Sequence, residues 1–117
     1  MPVFDVGYPF GLRDTPVSDA DIPDLLSRPL TVMLGEADDD PMHHNLPRQP
    51  QAVAQGPNRF ARGQRYIQTA RQIALERNLP LAWKLITVPG VAHSNPGMAP
   101  TAAALCAAVI GAGDYLP

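Results

Sequence analysis

One histidine and one aspartate in this chain are placed for proton transfer. His93 closes the stretch Trp83-Lys84-Leu85-Ile86-Thr87-Val88-Pro89-Gly90-Val91-Ala92-His93, a β-rich run that breaks at Pro-Gly and then presents an imidazole in a short loop. Asp38 lies in Gly35-Glu36-Ala37-Asp38-Asp39-Asp40-Pro41, directly after the apolar run Leu30-Thr31-Val32-Met33-Leu34. An imidazole becomes a useful general base when a buried carboxylate fixes its tautomer and stabilises the imidazolium formed on proton transfer. Asp38 is the best candidate for that carboxylate, Asp40 is the runner-up, and Asp39 is expected to point elsewhere or to cap the turn. The nucleophile that such a pair would serve is missing, because no GxSxG elbow occurs anywhere in the chain. Ser18, Ser27 and Ser94 lie in no such context, and Ser94, adjacent to His93, is badly placed for attack on a shared substrate.

A second chemistry is open to the same residues. Asp38, Asp39, Asp40, His43, His44 and His93 are all oxygen or nitrogen donors and make an alternative, metal-binding cluster. No ligand spacing such as HExxH accompanies them, and adjacent histidines in a polar loop are commonly just solvated. The expectation is no metal and no cofactor.

The elements that must position Asp38 and His93 follow from pattern and punctuation. Residues 1–17, with aromatics between Gly and Pro, read as an ordered loop laid over something apolar. A short helix is expected within 18–28, with starts at Ser18 and at Asp21, and with Ile22, Leu25 and Leu26 buried. Pro23 favours the later start, since a first turn tolerates proline. The run 30–34 lacks alternation, which suits a strand covered on both faces of a parallel sheet. Residues 35–57 form the acid turn and then a polar, proline-rich surface excursion of low structural content.

The clearest helix is 58–78. Asn58 can cap it, and Phe60, Gly63, Ile67, Ala70 and Ala74 make one stripe at spacings of three and four. Gly63 within that stripe signals close packing against another backbone. Arg59, Arg62, Arg65 and Arg71 mostly occupy the other faces, as solvated or ion-paired groups. A second strand spans 81–88, the histidine loop 89–98, and a last helix 99–111 has Pro100 in its first turn. A strand, crossover helix and second strand imply a right-handed parallel unit, which would bring both strand ends, and with them Asp38 and His93, to one edge.

Composition narrows the partners. The 117 residues suit one domain or part of one, and 45% hydrophobic with 17% charged residues is a globular balance. Nine basic residues form no run and the formal net charge is -2, so nothing points to nucleic acid or an anionic membrane. A small molecule or a protein is the expected partner. Cys106, the single cysteine, excludes an internal disulfide, and among alanines it reads as a buried core thiol. No apolar run is long enough to span a bilayer and no signal peptide is visible, which leaves localisation open.

The segments LTVMLGEADDDP, QGPNRFARGQRYIQTARQIA and WKLITVPGVAHSNPGMA, with YPFGL near the start, resemble the C-terminal half of an α/β-hydrolase. The similarity is narrower to a bacterial hydrolase-like group distantly related to lipases and polyester depolymerases. It covers nearly the whole chain and implies an α/β fold whose short parallel sheet, two main strands with helices packed on it, is incomplete. It also implies that Asp38 holds the family's acid position and His93 its catalytic histidine. The family order is Ser, acid, His, and only the last two are here. The family commonly has glycine where Ala92 stands. Met1 is accordingly not expected to open the complete domain; an internal methionine, a gene-fragment boundary and a truncation fit equally.

Three functions are compatible with these features. The first is a segment of a serine hydrolase acting on a small carboxylic ester, with nucleophile and oxyanion hole outside this chain. The chain alone would then be inactive. The second is the metal-binding fragment. The third is a non-catalytic interaction module using an open sheet edge, which would also promote self-association.

Overall fold

A computed structural model describes residues 4, 5 and 7–111, so part of the expected loop 1–17 lies outside the described residues. Two parallel strands, β1 (Leu30–Gly35) and β2 (Trp83–Val88), carry four helices: α1 (Ile22–Ser27), α2 (Pro50–Val53), α3 (Arg59–Arg77) and α4 (Asn95–Gly111). Leu30 pairs with Trp83 and the register runs without a bulge to Gly35 and Val88. This is a partial α/β fold, in which α3 makes the crossover between the strands.

Both expected starts of the first helix are used. A 3-10 turn over Asp19–Asp21 runs straight into α1, and the Asp21 carboxylate reaches back to accept from the Ser18 N–H at 2.8 Å. Ile22 and Leu26 are buried against Ala70, Ile73 and Ala74 of α3, with Phe4, Leu79, Leu81 and Trp83 packed around them. Burial of each of these two aliphatic side chains contributes about 1.5–3 kcal/mol. Leu25, expected inside, is 37% exposed. A helix of six residues presents only one apolar stripe, here Ile22 and Leu26, and the Leu25 side chain lies off it. Its carbonyl is used instead, accepting from the Trp83 Nε1–H at 3.1 Å.

Asn58 caps α3 by accepting from the Ala61 N–H at 2.8 Å, and Asn78 ends it in the left-handed conformation. Its buried stripe is Ile67, Ala70, Ile73 and Ala74, so Ile73 joins the residues that the spacing picked out. Gly63 does pack closely, but against a side chain: a Cβ there would lie 2.3 Å from Leu34 Cδ2.

Three boundaries and the content of one segment differ from expectation. The second strand begins at Trp83, not at position 81, because the Ala82 N–H turns to the Leu26 carbonyl of α1 at 2.9 Å instead of joining a ladder. The first strand gains Gly35 through its pairing with Val88. The excursion 35–57 is less bare than its composition suggests: it contains α2 and buries Leu46 and Ala52. The last helix starts at Asn95, so Pro100 stands inside it and Pro96 occupies the first turn. Ser94 explains the earlier start. Its Oγ accepts from the Gly97 N–H at 3.2 Å and its carbonyl from the Met98 N–H at 3.1 Å, the contacts of a helix cap.

The helix α4 carries no charged residue, yet Val109 and Ile110 are exposed, and so is Cys106, contrary to its reading as a core thiol. The helix has little of the described chain against it. No helix among the described residues is long and apolar enough to cross a membrane.

Candidate active site

Gly35 ends β1 and Val88 ends β2, and the two segments that follow are fastened together along their backbones. The Glu36 N–H donates to the Val88 carbonyl at 3.0 Å and the Ala37 N–H to the Val91 carbonyl at 2.9 Å. So close an approach requires a residue without Cβ at position 35, where a methyl group would sit 2.3 Å from Val91 O and 3.1 Å from Ala92 O. The acid turn is then closed by the Asp38 N–H to the Gly35 carbonyl at 3.0 Å. Its far side is fixed to α3, where the Phe60 N–H donates to the Asp38 carbonyl at 2.9 Å.

This framework brings Asp38 and His93 together, with His93 Nδ1 3.3 Å from Asp38 Oδ2. In the tautomer protonated at Nδ1 the imidazole donates to the carboxylate and Nε2 is left as the base. The burial of the pair is asymmetric: the Asp38 side chain is 18% exposed and that of His93 51%. A shielded carboxylate behind an open imidazole is the arrangement in which the first can orient the second while the second faces a reactant.

The runner-up acid is not part of this pair. Asp40 is exposed, and its Oδ1 accepts from the Met42 N–H at 2.8 Å in a local turn. Asp39 is exposed as well. The wider ligand cluster is not assembled: among the described residues no three His, Cys, Asp or Glu side chains converge so as to hold a metal ion. The histidines pack on one another instead. His43 stacks on His44 at 4.5 Å and meets the His93 ring edge-on at 5.3 Å.

Two neighbours of the pair, His43 and Arg59, have surroundings that the sequence did not foretell. His43 Nδ1 accepts from the Asn45 N–H at 3.1 Å, which requires that nitrogen to be unprotonated. Its pKa lies below the ordinary imidazole value, chiefly through desolvation and then through the positive charge of Arg59 and the neighbouring histidines, with Asp38 pulling the other way. Arg59, the first residue of α3, sets Nη1 3.8 Å from Asp38 Oδ1. In the sequence it was one of five arginines along a helix; only its position beside the Asn58 cap separates it from the others. Arg62 has a different task, holding the Gly56 and Pro47 carbonyls at 2.8 and 2.9 Å. Beside the site, Phe10, Leu46, Ala52, Arg59 and Arg62 line part of a cavity of about 370 Å³ that excludes both Asp38 and His93.

Two solved structures are similar to this chain. The chain is 45% identical to poly(aspartic acid) hydrolase-1 from Sphingomonas sp. KT-1, with a TM-score of 0.82 over 87% of this chain and 39% of that one. It is 33% identical to LpqC, a poly(3-hydroxybutyrate) depolymerase from Bordetella parapertussis, with a TM-score of 0.77 over 100% of this chain and 38% of that one. The chain therefore spans about two fifths of the length of the solved proteins it matches. No protein-family model matches it. No curated protein matches it either. The fold is hydrolase-like, and the chain matches a part of each of these two proteins.

Proposed function

We propose that this chain is the C-terminal segment of a serine hydrolase that cleaves carboxylic esters, supplying the acid and the histidine of a Ser-Asp-His triad. His93 Nε2 takes the proton of a serine hydroxyl and later returns it to the leaving group, while Asp38 keeps Nδ1 protonated and stabilises the imidazolium. Serine, oxyanion hole and most of the substrate pocket come from residues outside this chain. The observation that carries the reading is the 3.3 Å contact between a shielded Asp38 and an open His93, at the carboxyl ends of two adjacent parallel strands. The similarity to a poly(aspartic acid) hydrolase and a poly(3-hydroxybutyrate) depolymerase supports acyl-bond cleavage as the reaction class.

The test is a chimera in which this chain replaces the matching segment of the Sphingomonas hydrolase, assayed on a short activated ester. Turnover in the chimera, lost on His93→Ala and on Asp38→Ala, is the expected result, with no turnover by the chain alone. Nucleophile and base act as a unit, so neither half keeps measurable catalysis by itself. A chimera whose activity ignores His93→Ala would overturn the assignment.

A module that only binds another chain is the second reading, favoured by the exposed apolar residues of α4 and by the strand edge that each of β1 and β2 leaves unpaired within the described residues. Self-association of the isolated chain follows on either reading, since such edges pair readily. A monodisperse monomer in light scattering would count against it.

A further inference from the structure

We propose that Arg59 is the positioning residue of the acid, holding the Asp38 carboxylate by charge so that one oxygen faces His93 and the other faces α3; this rests on the Asp38–His93 reading above. The two carboxylate oxygens are divided between two groups. Oδ2 lies 3.3 Å from His93 Nδ1 and Oδ1 lies 3.8 Å from Arg59 Nη1. A carboxylate shielded from water needs a compensating charge or donors, and one imidazole N–H is a thin supply. Arg59 provides the charge from a side chain that is itself mostly shielded, 21% exposed. Its Nη1 is buried and has no hydrogen-bond partner among the described residues.

That 3.8 Å gap matters to the chemistry. A guanidinium closed into a two-pronged pair with Asp38 would engage both oxygens and compete with His93 for them. Held beyond hydrogen-bond range, it orients the carboxylate electrostatically and leaves Oδ2 to the imidazole. The distance is set by backbone, because Phe60, the next residue, donates its N–H to the Asp38 carbonyl at 2.9 Å while Asn58 anchors the helix start. The same charge acts across the site, since Arg59 is among the causes that keep the His43 pKa low. It also explains why Asp38 and not Asp40 is the acid: the start of α3 faces the former, and the latter is satisfied within its own turn.

The experiment reads the His93 tautomer in the full chain by ¹⁵N-resolved NMR of the imidazoles at about pH 8.5, well above the ordinary imidazole range. Arg59→Met is expected to lose the single Nδ1–H signature in favour of an averaged pair of tautomers, and Arg59→Lys, which restores the charge, to retain it. Asp38→Asn is the reference and should lose it too. Retention in Arg59→Met while Asp38→Asn loses it would overturn the role of Arg59 alone. Retention in Asp38→Asn would instead overturn the Asp38–His93 couple itself. Loss of the dispersed amide spectrum in both Arg59 variants would also refute the proposal, by making Arg59 a folding residue.

Discussion

The substitution Gly35→Ala tests how the two halves of the site are joined. The added Cβ would lie 2.3 Å from Val91 O and 3.1 Å from Ala92 O, where a close carbon-to-oxygen contact is about 3.3–3.6 Å. The histidine loop must therefore retreat by roughly 1 Å. That movement breaks or stretches the bonds from Glu36 N–H to Val88 O and from Ala37 N–H to Val91 O, now 3.0 and 2.9 Å, and carries His93 away from Asp38. Overpacking of this kind costs about 1–3 kcal/mol and each lost hydrogen bond about 1 kcal/mol. The stiffer unfolded chain offsets about 0.4–1 kcal/mol of that. We expect a net loss of about 2 kcal/mol in urea unfolding followed by circular dichroism, together with loss of the His93 tautomer signature. Gly90→Ala is the control: its φ is 73° and no atom lies within 4 Å of the new Cβ, so only the left-handed penalty of about 1–2 kcal/mol applies, and His93 should keep its tautomer. A Gly35→Ala chain with the wild-type midpoint and an unchanged His93 would refute the claim that a backbone contact sets the site.

Removing the α3 cap with Asn58→Ala should cost about 1 kcal/mol in the same unfolding assay, with Asn58→Asp recovering most of it. Gly63→Ala should be coupled to Leu34: the helix gains about 1 kcal/mol of propensity, but the methyl meets Leu34 Cδ2, so a double-mutant cycle with Leu34→Ala should give a coupling of about 0.5–3 kcal/mol. The lowered pKa of His43 sets a pH dependence. The folded state disfavours its protonation, so its contribution is full above the ordinary value of 6.5 and is lost as pH falls through its lower folded value. Thermal midpoints should drop on acidification through this window, and the drop should be smaller in His43→Gln; an identical drop in both chains would rule out His43 as the cause.

Much of the architecture was written locally. Leu30 to Leu34 is apolar without alternation and ends at glycine, Asn58 precedes a stripe at helical spacing, and Trp83 to Val88 is β-rich up to Pro-Gly, so strand, helix and strand could be placed from neighbours a few residues apart. Where local signals were misread, a distant partner was responsible. Ala82 left the strand for the Leu26 carbonyl, and Cys106 lies on the surface because little of the described chain covers α4. The last helix begins earlier than expected for another reason: Ser94, considered only as a nucleophile and set aside, has the hydroxyl that a helix start uses.

The sequence alone determined that an acid follows the first strand and a histidine the second, and hence that a parallel crossover brings both to one edge. It ranked Asp38 first, Asp40 second and set Asp39 aside, but three acids that share a turn and a chemistry give no contact by which to order them. Tertiary structure sets Asp38 beside His93, through the docking of the Val91 carbonyl on Ala37, the Phe60 N–H on the Asp38 carbonyl, and the Arg59 charge behind the carboxylate. Periodicity records which face of an element is apolar, whereas the direction of one carboxylate depends on groups brought close only when the chain has closed on itself.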